Sequence, residues 1–137
     1  MFGTKIFSIS IVFIVSSLTI TSCHRSLEDR AAKEAVEYTR KNCPTPYRNN
    51  SRVDSITFDR ITKTYVYYYT FKGKLDDPML LIKNKKKIRE GLLQNLINDP
   101  GLEIYKDHGF SFRYLARSLT TGKILLDETY TKRQYLI

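Results

Sequence analysis

From residue 64 to 71 the chain alternates without interruption, with Tyr65, Tyr67, Tyr69 and Phe71 on one side and Val66, Tyr68 and Thr70 on the other. A period of two marks a strand whose two faces meet different surroundings, and aromatic and β-branched residues suit such a pleated surface. Residues 53–59 repeat the pattern, with Ile56 and Phe58 opposite Ser55 and Thr57, and the turn at 60–63 predicts that the two pair as a hairpin. A third strand follows where Phe110, Phe112, Tyr114 and Ala116 alternate with Ser111, Arg113, Leu115 and Arg117. A turn at 119–122 leads from it to a fourth strand over 123–130.

Helical spacing occupies the gaps. Leu27, Ala31, Ala35 and Tyr38 recur as one face as far as Lys41, with Ser26 placed to cap the start and Glu28 and Asp29 in the first turn, where the helix dipole favours acids. Cys43-Pro44-Thr45-Pro46 ends that helix, because proline cannot continue it. Asp77 followed by Pro78 starts a second, running to about Asn98 with Leu81, Ile88, Leu92 and Leu96 as its apolar stripe. Residues 102–108 form one short helical turn closed by Gly109, and Thr131 with Gln134 has the form of a capping box. The order helix-strand-strand-helix-strand-strand predicts an α+β domain, a four-stranded antiparallel sheet with helices packed on one face. Phe58, Tyr67, Leu92, Leu96, Phe112 and Leu126 are its expected core.

Ahead of the first helix the pattern changes. Lys5 precedes a stretch free of charge from Ile6 to Ser22, and that stretch ends in Ile20-Thr21-Ser22-Cys23. A positive start, an apolar run and small residues before a cysteine resemble a bacterial lipoprotein signal. The resemblance implies that residues 1–22 are removed and that Cys23 carries lipid. An uncleaved transmembrane anchor is the first competing reading, and the stretch is short for the roughly 20 residues a span needs. An ordinary secretory signal is the second. The expected organisation is a signal peptide over 1–22 and a single extracytoplasmic domain over 23–137, of which 23–26 is a short lipid-anchored lead. With Cys23 acylated, Cys43 has no partner and reads as a small buried residue; without acylation a Cys23–Cys43 bridge stays open. The lipobox, Cys43-Pro44, the Tyr-rich strand, Asp99-Pro100-Gly101-Leu102, Gly109 and the closing hairpin together resemble the small uncharacterised lipoproteins common in Gram-negative bacteria. No Asp follows Cys23, which favours the outer membrane.

Removal of residues 1–22 loses one of the 23 Lys and Arg and none of the 14 Asp and Glu, so the remainder carries a formal net charge of +8. Outside the cytoplasm such a balance points to anionic lipid, anionic glycan or an acidic envelope protein, and away from nucleic acid. The densest basic segment surrounds Lys83, Lys86 and Lys87, which wind with Glu90 and Gln94 onto the helix face opposite Leu92 and form a candidate anion-binding patch; Lys86 and Glu90 are spaced as an ion pair. Tyr68, Arg113 and Arg117 are expected together on the polar sheet face as a candidate interface. His24 lies beside the expected anchor, and His108 stands at a helix end. Asp76-Asp77 is a paired-carboxylate candidate, and its second member already serves as a cap. No catalytic, metal-ligating or phosphate-cradling arrangement occurs, and no cofactor is implied. The expected function is a non-enzymatic, membrane-tethered binding or assembly module of the envelope. The alternatives are a dispersed-site hydrolase or carbohydrate-active enzyme, and a pilotin-like secretion adaptor.

Overall fold

A computed structural model describes residues 26–136. Cys23, His24 and the 1–22 segment therefore lie outside the described residues. Helix α1 (Leu27–Asn42) is followed by strands β1 (Ser51–Asp59) and β2 (Thr64–Phe71), helices α2 (Pro78–Lys83), α3 (Lys85–Asn98) and α4 (Glu103–Asp107), strands β3 (Ser111–Ser118) and β4 (Ile124–Tyr130), and the short α5 (Lys132–Tyr135). The four strands form one sheet in the order β1-β2-β3-β4. The class is α+β, and all helices pack on the face that carries Tyr65, Tyr67, Tyr69, Phe112 and Tyr114.

One expectation of the sheet is corrected. The two hairpins are antiparallel, but β2 and β3 run parallel, in a register that sets Tyr65 beside Phe112 and Tyr67 beside Tyr114. Between these strands the chain crosses the whole helix layer through α2, α3 and α4, so it returns to the end from which β2 started. A long crossover of this kind is what parallel neighbours require. The sheet is thus mixed rather than wholly antiparallel.

The second expected helix is also two. It breaks at Asn84 (φ −106°, ψ 15°), whose side-chain amide donates to the Leu80 carbonyl at 2.8 Å. An Asn side chain that bonds the local backbone competes with helix continuation. The change of direction lets Leu81 pack with Phe71, Ala116 and Leu126, while Leu96 packs with Ala31, Ala35 and Tyr65. The core accordingly has two parts, joined by Tyr69 and Leu92, which touch both. Of the six expected core residues, Leu96 and Phe112 are fully buried, Leu126 belongs to the second part, and Phe58, Tyr67 and Leu92 are half-buried.

Local signals behave as their chemistry demands. The Ser26 hydroxyl accepts from the Asp29 amide, Asp77 accepts from the Met79 and Leu80 amides, and the Thr131/Gln134 capping box forms. The 102–108 segment is a 3-10 turn (Pro100–Leu102) running into α4, and Gly109 after it has φ +75°, a left-handed conformation that favours glycine. Cys43 is half-buried at the end of α1, without a sulfur partner among the described residues, and burial pushes its thiol pKa up.

The C-terminus of α3 is closed from a distance. Lys106, 8 % exposed, aims its ammonium at three carbonyls there, Leu96 at 2.7 Å, Ile97 at 2.9 Å and Asp99 at 3.0 Å. Three N–H donors meet three carbonyls at the end of α3, where the chain passes into the 3-10 turn and the Leu96 and Asp99 carbonyls otherwise accept only long backbone bonds of 3.4 and 3.3 Å, and a cation suits this end of the dipole. Lys106→Met keeps the aliphatic stem and removes the donors. It is expected to lower stability by about 1.5 to 3 kcal/mol, the range for hydrogen bonds to a charged group. Urea unfolding measures it, and an unchanged midpoint would show that water replaces the ammonium at no cost.

Candidate binding site

The break at Asn84 shapes a concavity of about 560 Å³ between α2, the first half of α3 and the C-terminal end of β4. Ile82, Leu93 and Tyr130 supply apolar lining, and Lys83, Lys85 and Lys86 stand around them. The wall is held by two contacts across the helix layer. Arg89 pairs with Glu128, buried on the helix side of β4, at 3.0 Å, and the Tyr130 hydroxyl donates to the Arg89 carbonyl at 2.8 Å. Gln134, fixed by its capping-box contact with the Thr131 amide at 2.7 Å, completes the rim.

Of the basic triad read from the sequence, Lys83 and Lys86 enter this concavity and Lys87 does not, because the break rotates α3 against α2. The ion pair in this region is Arg89–Glu128, not the Lys86–Glu90 pair that the spacing predicts. Among the described residues, Lys83, Lys85 and Lys86 have no carboxylate partner. Ile82 is itself 68 % exposed, and beside the concavity α2 also exposes Met79 (72 %). The arrangement is an apolar floor under three unpaired cations, with Glu90 as the one carboxylate in the lining, and its net positive rim suits a ligand both greasy and negative.

The sheet face away from the helices does bring Tyr68, Arg113 and Arg117 together. Tyr68 lies beside Leu115 in the register, with the two arginines one strand position to either side on that face. Both arginines are engaged. Arg113 makes a two-pronged contact with Asp127 at 2.8 and 2.7 Å, which holds the Asp127 carboxyl below its usual range, and Arg117 donates to the Gly122 carbonyl at 3.2 Å. This face is therefore less free to recruit an anion than its composition implies.

The remaining candidates have structural tasks. Asp76 accepts from the Thr120 amide and hydroxyl at 3.1 and 2.7 Å, hydrogen bonds from Ser118 and Thr120 hold its pKa down, and Asp77 caps α2. The His108 ring nitrogen Nδ1 lies 2.8 Å from the Ile104 carbonyl. Among the described residues no three His, Cys, Asp or Glu side chains gather as metal ligands, and no helix is long and apolar enough to cross a membrane.

A second groove, of about 490 Å³, has no counterpart in the sequence pattern. It runs between α1 and the 3-10 turn, where Tyr38, Tyr67, Tyr69 and Tyr105 gather near Glu34 and Asp99. The Tyr105 hydroxyl donates to Glu34 at 2.5 Å, and burial pushes the Tyr69 phenol up to about 12. The alternation over 64–71 assigns these rings to the helix side but gives no sign that the helices leave part of that face uncovered.

Residues 26–126 match the family described as "Domain of unknown function (DUF8479)". The chain belongs to that family. The DUF8479 match takes in the three concavity lysines and both sheet-face arginines and ends before Tyr130 and Gln134. No curated protein sequence matches the chain. Among solved structures, a candidate secreted protein of Pseudomonas aeruginosa superposes with a TM-score of 0.63 at 12 % identity, over 80 % of this chain and 97 % of the other. A pilotin of the type 2 secretion system of Vibrio vulnificus gives 0.55 at 15 % identity, over 79 % of this chain and 90 % of the pilotin. The type II secretion system pilotin of Vibrio cholerae gives 0.57 at 15 % identity, over 78 % and 90 %. At these identities the likeness is one of fold, which this DUF8479 chain shares with all three.

Proposed function

We propose that this protein is a non-enzymatic adaptor of the bacterial envelope, tethered by lipid on Cys23 to the outer membrane, that grips an acidic amphipathic segment of a partner envelope protein in the concavity between α2, α3 and Tyr130. The observation that carries the reading is the set of three lysines without carboxylate partners around an apolar floor. A helix or strand with apolar residues on one side and Asp or Glu along its edges would cover Ile82, Leu93 and Tyr130 and neutralise that rim. The fold shared with two type II secretion pilotins supports an adaptor of the pilotin kind over an enzyme, as does the structural use of Asp76, Asp77 and His108.

The test uses the detergent-solubilised full chain and a synthetic acidic amphipathic peptide, with the same peptide carrying Gln for every Glu as comparison. Binding is followed by fluorescence anisotropy across a salt series. A surface ion pair contributes about 0.2 to 1 kcal/mol, so Lys83→Gln, Lys85→Gln and Lys86→Gln together should weaken binding between severalfold and about a hundredfold and flatten its salt dependence. Glutamine keeps helix propensity close to that of lysine, so the fold is retained. Lys87→Gln, outside the concavity, should leave affinity unchanged. Equal binding by the triple variant would sink the reading. Binding to anionic vesicles or glycan but not to the peptide would transfer the lysines to a lipid or polymer contact.

A further inference from the structure

We infer that the turn between β1 and β2 is the foot on which the domain stands on its own membrane, with Ile61 inserted at the bilayer interface. This rests on the lipid tether proposed above. The turn is clipped to the start of α1 by two ion pairs, Arg60 with Asp29 and Lys63 with Glu28, the second at 3.2 Å. Cys23 precedes Ser26 by three residues, a covalent reach of at most about 11 Å whatever their conformation. A lipid on Cys23 therefore brings the bilayer to this end of the domain.

The turn itself has a composition that water does not explain. Asp59 accepts from the Ile61 and Thr62 amides at 2.9 and 3.2 Å, and the Lys63 carbonyl accepts from Ser111 at 2.9 Å, so its backbone is fixed at both sides. At the tip of that fixed turn, where Gly, Asn, Asp or Ser are the usual residues, stands Ile61, 94 % exposed, more than any other large apolar side chain described. Arg60 and Lys63 flank it with long stems that can lie along the interface while their charges stay in water. The opposite end of the sheet carries the 73–77 and 119–122 segments, an eight-residue strand or roughly 26 Å away. With the turn down, that end points away from the bilayer.

The sequence contains no tryptophan, so an introduced one reports alone. Full-length Ile61→Trp and, as the distal comparison, Met79→Trp are purified from membranes and reconstituted through their own lipid into phospholipid vesicles brominated on the acyl chains near the headgroup. The expected result is a blue shift and quenching of the tryptophan at 61, with neither at 79. Intact mass of the same samples reports acylation of Cys23 separately. Acylated protein with an unquenched tryptophan at 61 overturns the foot and leaves the tether standing. Unacylated protein that is quenched at 61 keeps the contact and overturns the tether, and absence of both signals overturns both. Equal quenching at 61 and 79 would show that the domain has no preferred orientation, which also overturns the foot.

Discussion

Cys23→Ala should incorporate no labelled fatty acid, and its intact mass should retain residues 1–22. A lipoprotein signal is cut only ahead of the modified cysteine, so loss of the thiol stops both steps. A single acyl chain holds a protein on a membrane reversibly, whereas several together hold it essentially permanently, at about 0.8 kcal/mol per buried methylene. The substitution should therefore remove every acyl chain at once rather than one of several. Membrane fractionation is a poor readout, because the uncut apolar stretch of the variant can itself stay in the bilayer. Mass and label separate the cases. Cys43→Ala, at the end of α1 and half-buried, should label as the parent does. Label persisting in Cys23→Ala would sink the assignment of the lipid to Cys23, and loss of residues 1–22 without the thiol would return the segment to an ordinary signal.

Phe112→Ala should lower the unfolding free energy by about 3 to 5 kcal/mol, the usual cost of emptying a fully buried aromatic site. Phe112 is 0 % exposed, its ring is stacked at 5.9 Å on Tyr65 and meets Tyr135 edge-on at 5.8 Å, and in the sheet it lies between Tyr65 and Tyr130. These neighbours come from three elements, β2, β4 and α5, so closing the void would require moving several elements together. At roughly 4 °C per kcal/mol for a domain of this size, Tm should fall by roughly 12 to 20 °C. Leu92→Ala, half-buried, should cost less than the 2 to 5 kcal/mol expected of a fully buried leucine. Thermal unfolding of both variants decides the matter, and a loss at Phe112 under about 1 kcal/mol would mean that the core is not packed as described.

The lysine concavity was half visible in the sequence. Local density and helical spacing single out Lys83, Lys86 and Lys87; the first two stand in it and Lys87 stands outside. Helical spacing extrapolates a straight helix, and the Asn84 amide interrupts it by bonding Leu80. Lys85, which the spacing does not put on the face of Lys83 and Lys86, belongs to the rim as well. Tyr130 and Gln134 had no signal at all, because their part in the site depends on β4 ending under α3.

What the sequence determined by itself is what the chain settles within a few residues. Period two places three strands and the turn at 119–122 the fourth, and the alternation sorts Tyr65, Tyr67 and Tyr69 from Tyr68, Arg113 and Arg117. Ser26, Asp77-Pro78 and Thr131 to Gln134 marked helix starts because a side chain there meets an amide two or three residues on. What only the tertiary structure decided joins residues far apart in the chain. The parallel pairing of β2 with β3 depends on where the helix layer delivers the chain, the capping of α3 by Lys106 on α4's position beside it, and the Arg89–Glu128 wall on α3 lying across β4. Periodicity says which face of an element is buried, but the partner on that face follows from packing several elements at once, and the site is made of such partners.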